Sequence, residues 1–123
     1  MKPSFIALLL VSAITVGCGD DPPTAPTPRS LYTEMISDVT VQARSSGCVT
    51  FRQEAAGPAS AQIFGSNSIE MGTGTCTSPG AVVGRARINL SLLLAVGDHY
   101  VRFDHPGNFE FTYRVTLHYL ILV

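Results

Sequence analysis

The chain has 123 residues, of which 46% are hydrophobic and 14% charged, and its formal net charge is -1. This length suits one domain rather than two. The charge balance lacks the basic excess with which nucleic-acid-binding domains neutralise phosphates, so we expect no nucleic-acid partner.

The first 17 residues have the pattern of a secretory signal peptide. Lys2 supplies a positive charge, residues 5–11 form an apolar run, and small residues precede Cys18. A permanent transmembrane helix needs about 20 apolar residues, more than this run provides. We therefore predict that residues 1–17 direct export and are removed by cleavage.

The residues around the predicted cleavage site, Thr15-Val16-Gly17-Cys18, resemble the lipobox of bacterial lipoproteins. That family usually has Leu at the position of Thr15. The resemblance implies that Cys18 becomes the first mature residue and carries a diacylglyceryl lipid, which would bind the protein to a membrane. Gly19 favours the outer membrane of a bacterial cell envelope, facing the periplasm or the cell surface. The alternative is an ordinary signal peptide cut near Gly17, which would leave Cys18 as a free thiol.

Residues 18–30 are predicted to form a tether between the lipid and the folded domain. Four prolines fall between positions 22 and 28. Proline-rich linkers adopt extended polyproline geometry at about 3.1 Å per residue, so this segment would act as a semi-rigid spacer of roughly 20–25 Å.

If Cys18 carries lipid, two cysteines remain, Cys48 and Cys76. An even pair in an oxidising compartment predicts a disulfide. The bridge would close a loop of about 27 residues and contribute on the order of 3 kcal/mol in the chain-entropy treatment. Two isolated cysteines without a Cys-x-x-Cys spacing are too few for a metal site, so we predict no bound metal.

Residues 31–123 show a hydrophobic period of two, without a helical stripe. The clearest alternation of apolar and polar residues runs from Phe109 almost to Val123. The pattern recurs at 82–94, and shorter candidate strands, separated by Gly- and Pro-containing turns, are 38–43, 49–52, 62–65, 68–71 and 99–103. This pattern predicts an all-β domain, one small antiparallel β-sandwich of about six to seven strands.

Register arguments predict how the last strands pair. A hairpin loop of odd length, residues 106–108, is needed to place Phe103 opposite Phe111 on the core face. If the strand at 82–94 pairs with residues 97–105, Arg87 lies close to Asp104. The same parity predicts a solvent face that carries Arg102, Asp104, Glu110, Thr112 and Arg114.

No catalytic or metal-binding constellation stands out. His99 and His105 would share one strand face at a separation of about 20 Å, too far apart to hold one metal. The chain lacks the Gly-x-Ser-x-Gly and His-Glu-x-x-His motifs and any glycine-rich phosphate loop that opens a helix. We therefore expect no catalytic residues, no cofactor and no enzyme activity.

Residues 97–103 (GDHYVRF) followed by 111–115 (FTYRV) resemble the end of two kinds of extracellular β-sandwich. These are immunoglobulin-like domains and bacterial pre-peptidase C-terminal domains, in which a Gly-x-Tyr-x-Val strand precedes the last strand. Such domains serve mainly as binding or accessory modules. The resemblance therefore implies a non-enzymatic role.

The leading hypothesis is a lipid-anchored interaction or structural module of the cell envelope, with a binding surface in loops such as 53–61 and 72–81. A second hypothesis is a small-ligand or carbohydrate binder that uses the rings of Tyr100, Tyr113 or Tyr119, which requires an exposed ring beside a concave pocket. A third is an accessory subunit of an envelope complex. Its contact with a protein partner would be an unpaired apolar strand edge at residues 120–123.

Overall fold

The computed structural model describes residues 29–123. Its eight strands follow from the alternating pattern of the sequence. These residues contain no helix that could cross a bilayer. The predicted signal peptide, Cys18 and the tether prolines lie outside the described residues. The strands are β1 (Ser30–Val41), β2 (Ser45–Gln53), β3 (Gly57–Ile63), β4 (Ile69–Gly74), β5 (Pro79–Ala86), β6 (Asn89–Leu94), β7 (Gly97–His105) and β8 (Phe111–Leu122).

The strands form two antiparallel four-stranded sheets, in the orders β1-β8-β3-β6 and β2-β7-β4-β5. The first strand therefore pairs with the eighth, the second with the seventh, the third with the sixth and the fourth with the fifth. A chain folded as one long hairpin and wrapped over two sheets is a jelly roll. The predicted all-β antiparallel sandwich is confirmed, with eight strands instead of six to seven. Its strand order differs from the ABED and CFG sheets of a constant-type immunoglobulin domain.

The additional strand arises where one long strand was predicted, at residues 82–94. The chain bends at residues 87–88, so that β5 lies in one sheet and β6 in the other. Strand β7 pairs with β2 and β4, which brings Asp104 next to Ser46 instead of Arg87. The predicted pairing was wrong because apolar parity continues unchanged through a bend between two sheets that share one core.

The predicted hairpin between the last two strands is also wrong. Residues 106–110 cross from one sheet to the other, since β7 and β8 belong to different sheets. Phe103 is buried as expected, but Phe109 and Phe111 are exposed on the crossing loop and at the start of β8. The expected solvent face is largely confirmed, because Asp104, Glu110, Thr112 and Arg114 are exposed and Arg102 is partly so.

The core lies between the two sheets. Its fully buried aliphatic side chains come from β3 and β8 in one sheet and from β4 and β7 in the other, namely Ile63, Val115, Leu117, Ile69, Met71 and Val101. Each such side chain stabilises the fold by about 1.5–3 kcal/mol relative to exposure. Of the segments 53–61 and 72–81, expected as loops, only residues 54–56 and 75–78 lie outside strands; the others belong to β2, β3, β4 and β5.

The disulfide between Cys48 and Cys76 is confirmed, with the two Cα atoms 5.9 Å apart. Cys48 lies in β2 and Cys76 follows β4, so the bridge joins two elements that flank β7. The Thr50 hydroxyl strengthens this connection, because it accepts a hydrogen bond from the Cys76 backbone N–H at 3.0 Å. The bridge thus ties the outer strand β2 to the loop between β4 and β5.

The two ends of the sandwich differ in what they carry. Ser30 pairs with Leu122, so the described chain enters and leaves at one end, which we call the proximal end. Val41 pairs with Phe111 at the opposite, distal end. A strand of the length of β1 spans roughly 36–40 Å between these ends. The distal end is made by residues 42–44, 64–68, 87–88 and 106–110.

Candidate binding site at the distal end

A depression of about 310 Å³ opens at the distal end of the sandwich. It is bounded by the start of β2, the end of β7 and the loop between β3 and β4, and its lining residues are Arg44, Ser45, Ser46, Asn67, Asp104, His105 and Pro106. This volume lies at the lower limit of typical small-ligand pockets. The lining is mainly polar, so it suits a ligand that exchanges hydrogen bonds with water for hydrogen bonds with protein.

The Asp104 carboxylate is oriented by two hydroxyl groups. Ser68 Oγ donates to Oδ2 at 2.9 Å, and Ser46 Oγ approaches Oδ1 at 3.5 Å. The backbone of Asp104 also bonds to the β3–β4 loop, since its N–H donates to the Ser68 carbonyl at 3.2 Å and its carbonyl accepts from Asn67 N–H at 3.4 Å. A carboxylate has about four acceptor positions. Asp104 is therefore held in place and still able to accept hydrogen bonds from a ligand.

Arg44 has a backbone conformation that is unusual for its residue type. Its φ angle is +54°, in the left-handed region, which costs a non-glycine residue about 1–2 kcal/mol. The Arg44 N–H donates to the Gly107 carbonyl at 2.8 Å and so joins the β1–β2 turn to the β7–β8 loop. Backbone strain of this kind concentrates at functional sites. Arg44 is exposed and lines the same depression as Asp104, so the lining includes one positively and one negatively charged residue.

His105 forms the buried floor of this region, and both of its ring nitrogens are occupied. Nε2 lies 2.6 Å from the Phe109 carbonyl oxygen, which can only accept, so Nε2 carries the hydrogen. Nδ1 then accepts the hydroxyl hydrogen of Tyr113 at 2.7 Å. With neither nitrogen free, His105 positions the β7–β8 loop and has no lone pair available for a substrate.

Two exposed phenylalanines adjoin this floor. The side chains of Phe109 and Phe111 are 56% and 46% exposed, and their ring centroids lie 5.3 and 6.2 Å from that of His105. The aromatic contacts continue inward through Tyr113 to Phe103. Parity alone assigned both phenylalanines to the core. Their exposure could have been predicted from their position beside the Pro-Gly-Asn turn, because aromatic residues next to a turn lie at the rim of a sandwich.

The three tyrosines proposed from the sequence do not form a surface. Tyr100 and Tyr113 are buried, and Tyr119 is partly buried against Phe51, with ring centroids 5.2 Å apart. Tyr119 lies towards the proximal end, whereas Tyr113 lies beneath the distal depression. The rings of Tyr100 and Tyr113 are thus unavailable for stacking, and the exposed aromatic surface beside the depression belongs to Phe109 and Phe111.

The proposed C-terminal edge is paired, which corrects the expectation of a free apolar edge at residues 120–123. Strand β8 lies between β1 and β3. Beyond the last pair between β3 and β8, Leu120 N–H donates to Gln53 Oε1 at 2.8 Å and Leu122 N–H donates to Glu54 Oε1 at 2.7 Å. The free edges of this sheet belong to β1 and β6.

Within residues 29–123, no three His, Cys, Asp or Glu side chains are grouped closely enough to hold a metal ion. The distal depression offers hydrogen-bond donors and acceptors of both charges beside exposed aromatic rings. This arrangement is suited to reversible binding of a polar ligand. The chain matches no known protein family and none of the curated proteins.

Proposed function

We propose that this protein is a non-enzymatic, lipid-anchored binding module of the bacterial cell envelope whose ligand-contact surface is the distal end. The observation that carries the proposal is the separation of roles along the sandwich. The polar depression and the exposed Phe109 and Phe111 lie at the end opposite Arg29, where the chain enters the domain. An anchor at Cys18 therefore leaves this surface unobstructed.

The anchor itself is supported by sequence. A diacylglyceryl group at Cys18 binds a bilayer through two acyl chains, which together give durable attachment. The proline-rich tether adds roughly 20–25 Å between the lipid and the domain. Gly19 favours the outer membrane, with the domain in the periplasm or on the cell surface.

A carbohydrate is a second candidate for the ligand, alongside an envelope protein. The observation that favours it is the position of Phe109 and Phe111 next to a depression that carries Arg44, Asn67 and Asp104. Sugars present hydroxyl groups, which need both donors and acceptors, together with apolar C–H faces that pack on aromatic rings. One arginine and one aspartate balance in charge, which favours a neutral polar ligand.

The anchor is tested by fractionation and intact mass. The parent protein, expressed with its own signal in a bacterial host, is expected in the membrane fraction with a mature mass that begins at a lipid-modified Cys18. The Cys18→Ser variant is expected in the soluble periplasmic fraction. A mature protein that begins elsewhere, or that carries an unmodified Cys18, contradicts the anchor.

The binding surface is tested by photo-cross-linking in intact cells. A photoreactive residue at position 67, in the distal depression, is expected to yield a discrete adduct of defined mass. The same residue at Val83, exposed on β5 away from the distal end, serves as the control and is expected to yield none. Equal labelling from both positions, or adducts from position 83 alone, contradicts the proposed surface.

The carbohydrate candidate is tested on an array of bacterial envelope glycans with the full-length protein. Asp104→Ala and Phe109→Ala are each expected to weaken binding about tenfold, because each removes a charge-assisted hydrogen bond or a stacking ring. Arg52→Ala, which alters an exposed ion pair with Asp98 on the proximal half of β2, is the matched control. Glycan binding that is equal in all variants excludes the distal site as its origin.

A further inference from the structure

The two sheets end in four edge strands among the described residues, and the longest of these, β1, lacks the usual protection against strand pairing. Strand β6 has only six residues, and β5 begins at Pro79 and pairs with β4 through register shifts. Short strands, proline and irregular register all discourage pairing at an edge. Strand β1 has 12 residues in continuous register with β8, and it contains neither proline nor lysine.

The hydrogen-bonding phase of β1 can be assigned. Val123 N–H donates to the Arg29 carbonyl at 3.0 Å, and in an antiparallel ladder such bonded pairs recur at every second residue. The odd-numbered residues of β1 therefore face β8. Leu120, opposite Tyr32, agrees with this alternation, because its N–H points away from β1 and donates to Gln53 on the other side of β8. The residues that direct their N–H and C=O groups to the free edge are consequently Ser30, Tyr32, Glu34, Ile36, Asp38 and Thr40.

The side chains of these six residues make the edge receptive. Tyr32 and Ile36 are 50% and 54% exposed, which is typical of an edge that gains from being covered. The two acids among these six residues each have a partner on β8. Glu34 Oε2 lies 3.2 Å from His118 Nε2, and Asp38 Oδ1 lies 3.1 Å from Arg114 Nε. The Asp38 charge is thus partly offset within the same sheet.

We propose that β1 pairs antiparallel with β1 of a second copy of this chain, so that the two four-stranded sheets join into one eight-stranded sheet. The register is centred on Met35. In this register all six edge residues find partners: Ser30 faces the partner's Thr40, Tyr32 faces the partner's Asp38, and Glu34 faces the partner's Ile36. No acid stands opposite an acid.

The two neighbouring registers are less favourable because they place acids opposite each other. A shift in one direction places Glu34 opposite the partner's Glu34, and a shift in the other places it opposite the partner's Asp38. Like charges directly opposite each other destabilise a strand pair. Each shift also leaves an edge residue unpaired. The register centred on Met35 is therefore the one that pairs all six edge residues and places no acid directly opposite another.

The dimer is independent of the proposed function, because β1 contributes no residue to the distal depression. The strands run antiparallel, so the two tethers leave from opposite ends of the shared strand pair, and the proximal end of each copy lies beside the distal end of the other.

The first test is the mass of the full-length chain in detergent, measured by sedimentation equilibrium. We expect twice the mass of one chain, and we expect Ile36→Pro to yield single chains, because the Ile36 N–H points to the free edge and β8 loses no bond.

Leu93→Pro is the matched control. Ile63 N–H donates to the Ile88 carbonyl at 2.9 Å, which directs the Leu93 N–H to the free edge of β6, where its side chain is 83% exposed. This variant is expected to remain dimeric. A parent protein that is monomeric at its solubility limit overturns the proposal.

The second test fixes the register and does not depend on whether the proline variant folds. In a Cys18→Ser background, Glu34→Cys and Ile36→Cys chains are mixed and oxidised. Hydrogen-bonded partners lie about 5.5 Å apart between Cα atoms, a separation that a disulfide spans. We expect a cross-linked dimer in the mixture and only traces from either variant alone. Efficient cross-linking of Glu34→Cys with itself, or none in the mixture, overturns the proposed register.

Discussion

Gln53 and Leu120 are joined by a hydrogen bond in the interior of the proximal end, where the Gln53 Oε1 atom accepts the Leu120 backbone N–H at 2.8 Å. The same side chain donates from Nε2 to the Gly57 carbonyl at 3.0 Å. Gln53 is completely buried. Its amide therefore replaces a neighbouring strand for β8 beyond the last pair with β3, His118 with Ser60, and it holds the C-terminal residues within the domain.

Gln53→Leu is expected to lower the free energy of unfolding by about 2–4 kcal/mol. The substitution keeps the volume of the side chain but leaves the Leu120 N–H and the Gly57 carbonyl buried without partners, at about 1–3 kcal/mol for each. Urea denaturation followed by circular dichroism measures the change. Glu54→Ala removes the analogous contact to Leu122 in a more exposed position, where water replaces the carboxylate, so we expect a loss below about 1 kcal/mol. Equal losses in the two variants contradict this account.

Tyr113→Phe is expected to destabilise the protein by about 1–2 kcal/mol, because it removes the hydroxyl that bonds to His105 Nδ1 at 2.7 Å and leaves a buried acceptor unsatisfied. Tyr119→Phe is the matched control. Its hydroxyl lies 3.9 Å from Met35 Sδ, a weak contact, so we expect a change within about 0.5 kcal/mol. Thermal unfolding of both variants measures the difference. If Tyr119→Phe destabilises the protein as much as Tyr113→Phe, the hydrogen bond between Tyr113 and His105 does not explain the loss of stability.

The fold class could be predicted from the sequence because the period of two is a local property. Val115 and Leu117 are buried as their parity requires, and Arg114 between them is exposed. The sheet order could not be predicted, because a strand that bends from one sheet to the other keeps its inward parity towards the common core. The residues on either side of the bend at 87–88 alternate without interruption, although they belong to different sheets.

The candidate site was missed for a related reason. Parity identifies an inward direction but gives no depth along the sandwich, and depth distinguishes a core ring from a rim ring. Tyr100 stands in the middle of β7 and is buried, whereas Phe111 stands at the first position of β8 and is half-exposed. Arg44 and Asp104 line one depression because the β1–β2 turn lies beside the end of β7, which is a consequence of sheet order.

Removal of the disulfide is expected to cost about 2–4 kcal/mol of stability, as is typical for a native bridge that closes a loop of this length. Cys48→Ala with Cys76→Ala in one chain is compared with the parent protein by urea denaturation. The parent treated with a thiol reductant is the control for the loss of the side-chain volume, and it is expected to unfold at the same urea concentration as the double variant. A midpoint unchanged by reduction indicates that hydrogen bonds such as that between Thr50 and Cys76 already hold this region.

Gly47→Ala is expected to destabilise the domain by about 1–3 kcal/mol, which is the usual effect of overpacking a core. Gly47 lies in β2 against the face of the Phe103 ring, and a methyl group there would come within 2.6 Å of Phe103 Cε1. Phe103 is buried and packs edge-on against Tyr113 at 5.0 Å, so the ring has no free space into which to move. Arg52→Ala, an exposed change at the other end of the same strand, is expected to have little effect. The pair also tests the aromatic contacts, since displacement of Phe103 would shift Tyr113 and, through it, His105 at the distal depression. The chemical shifts of the His105 ring are therefore expected to move in Gly47→Ala and to stay unchanged in Arg52→Ala.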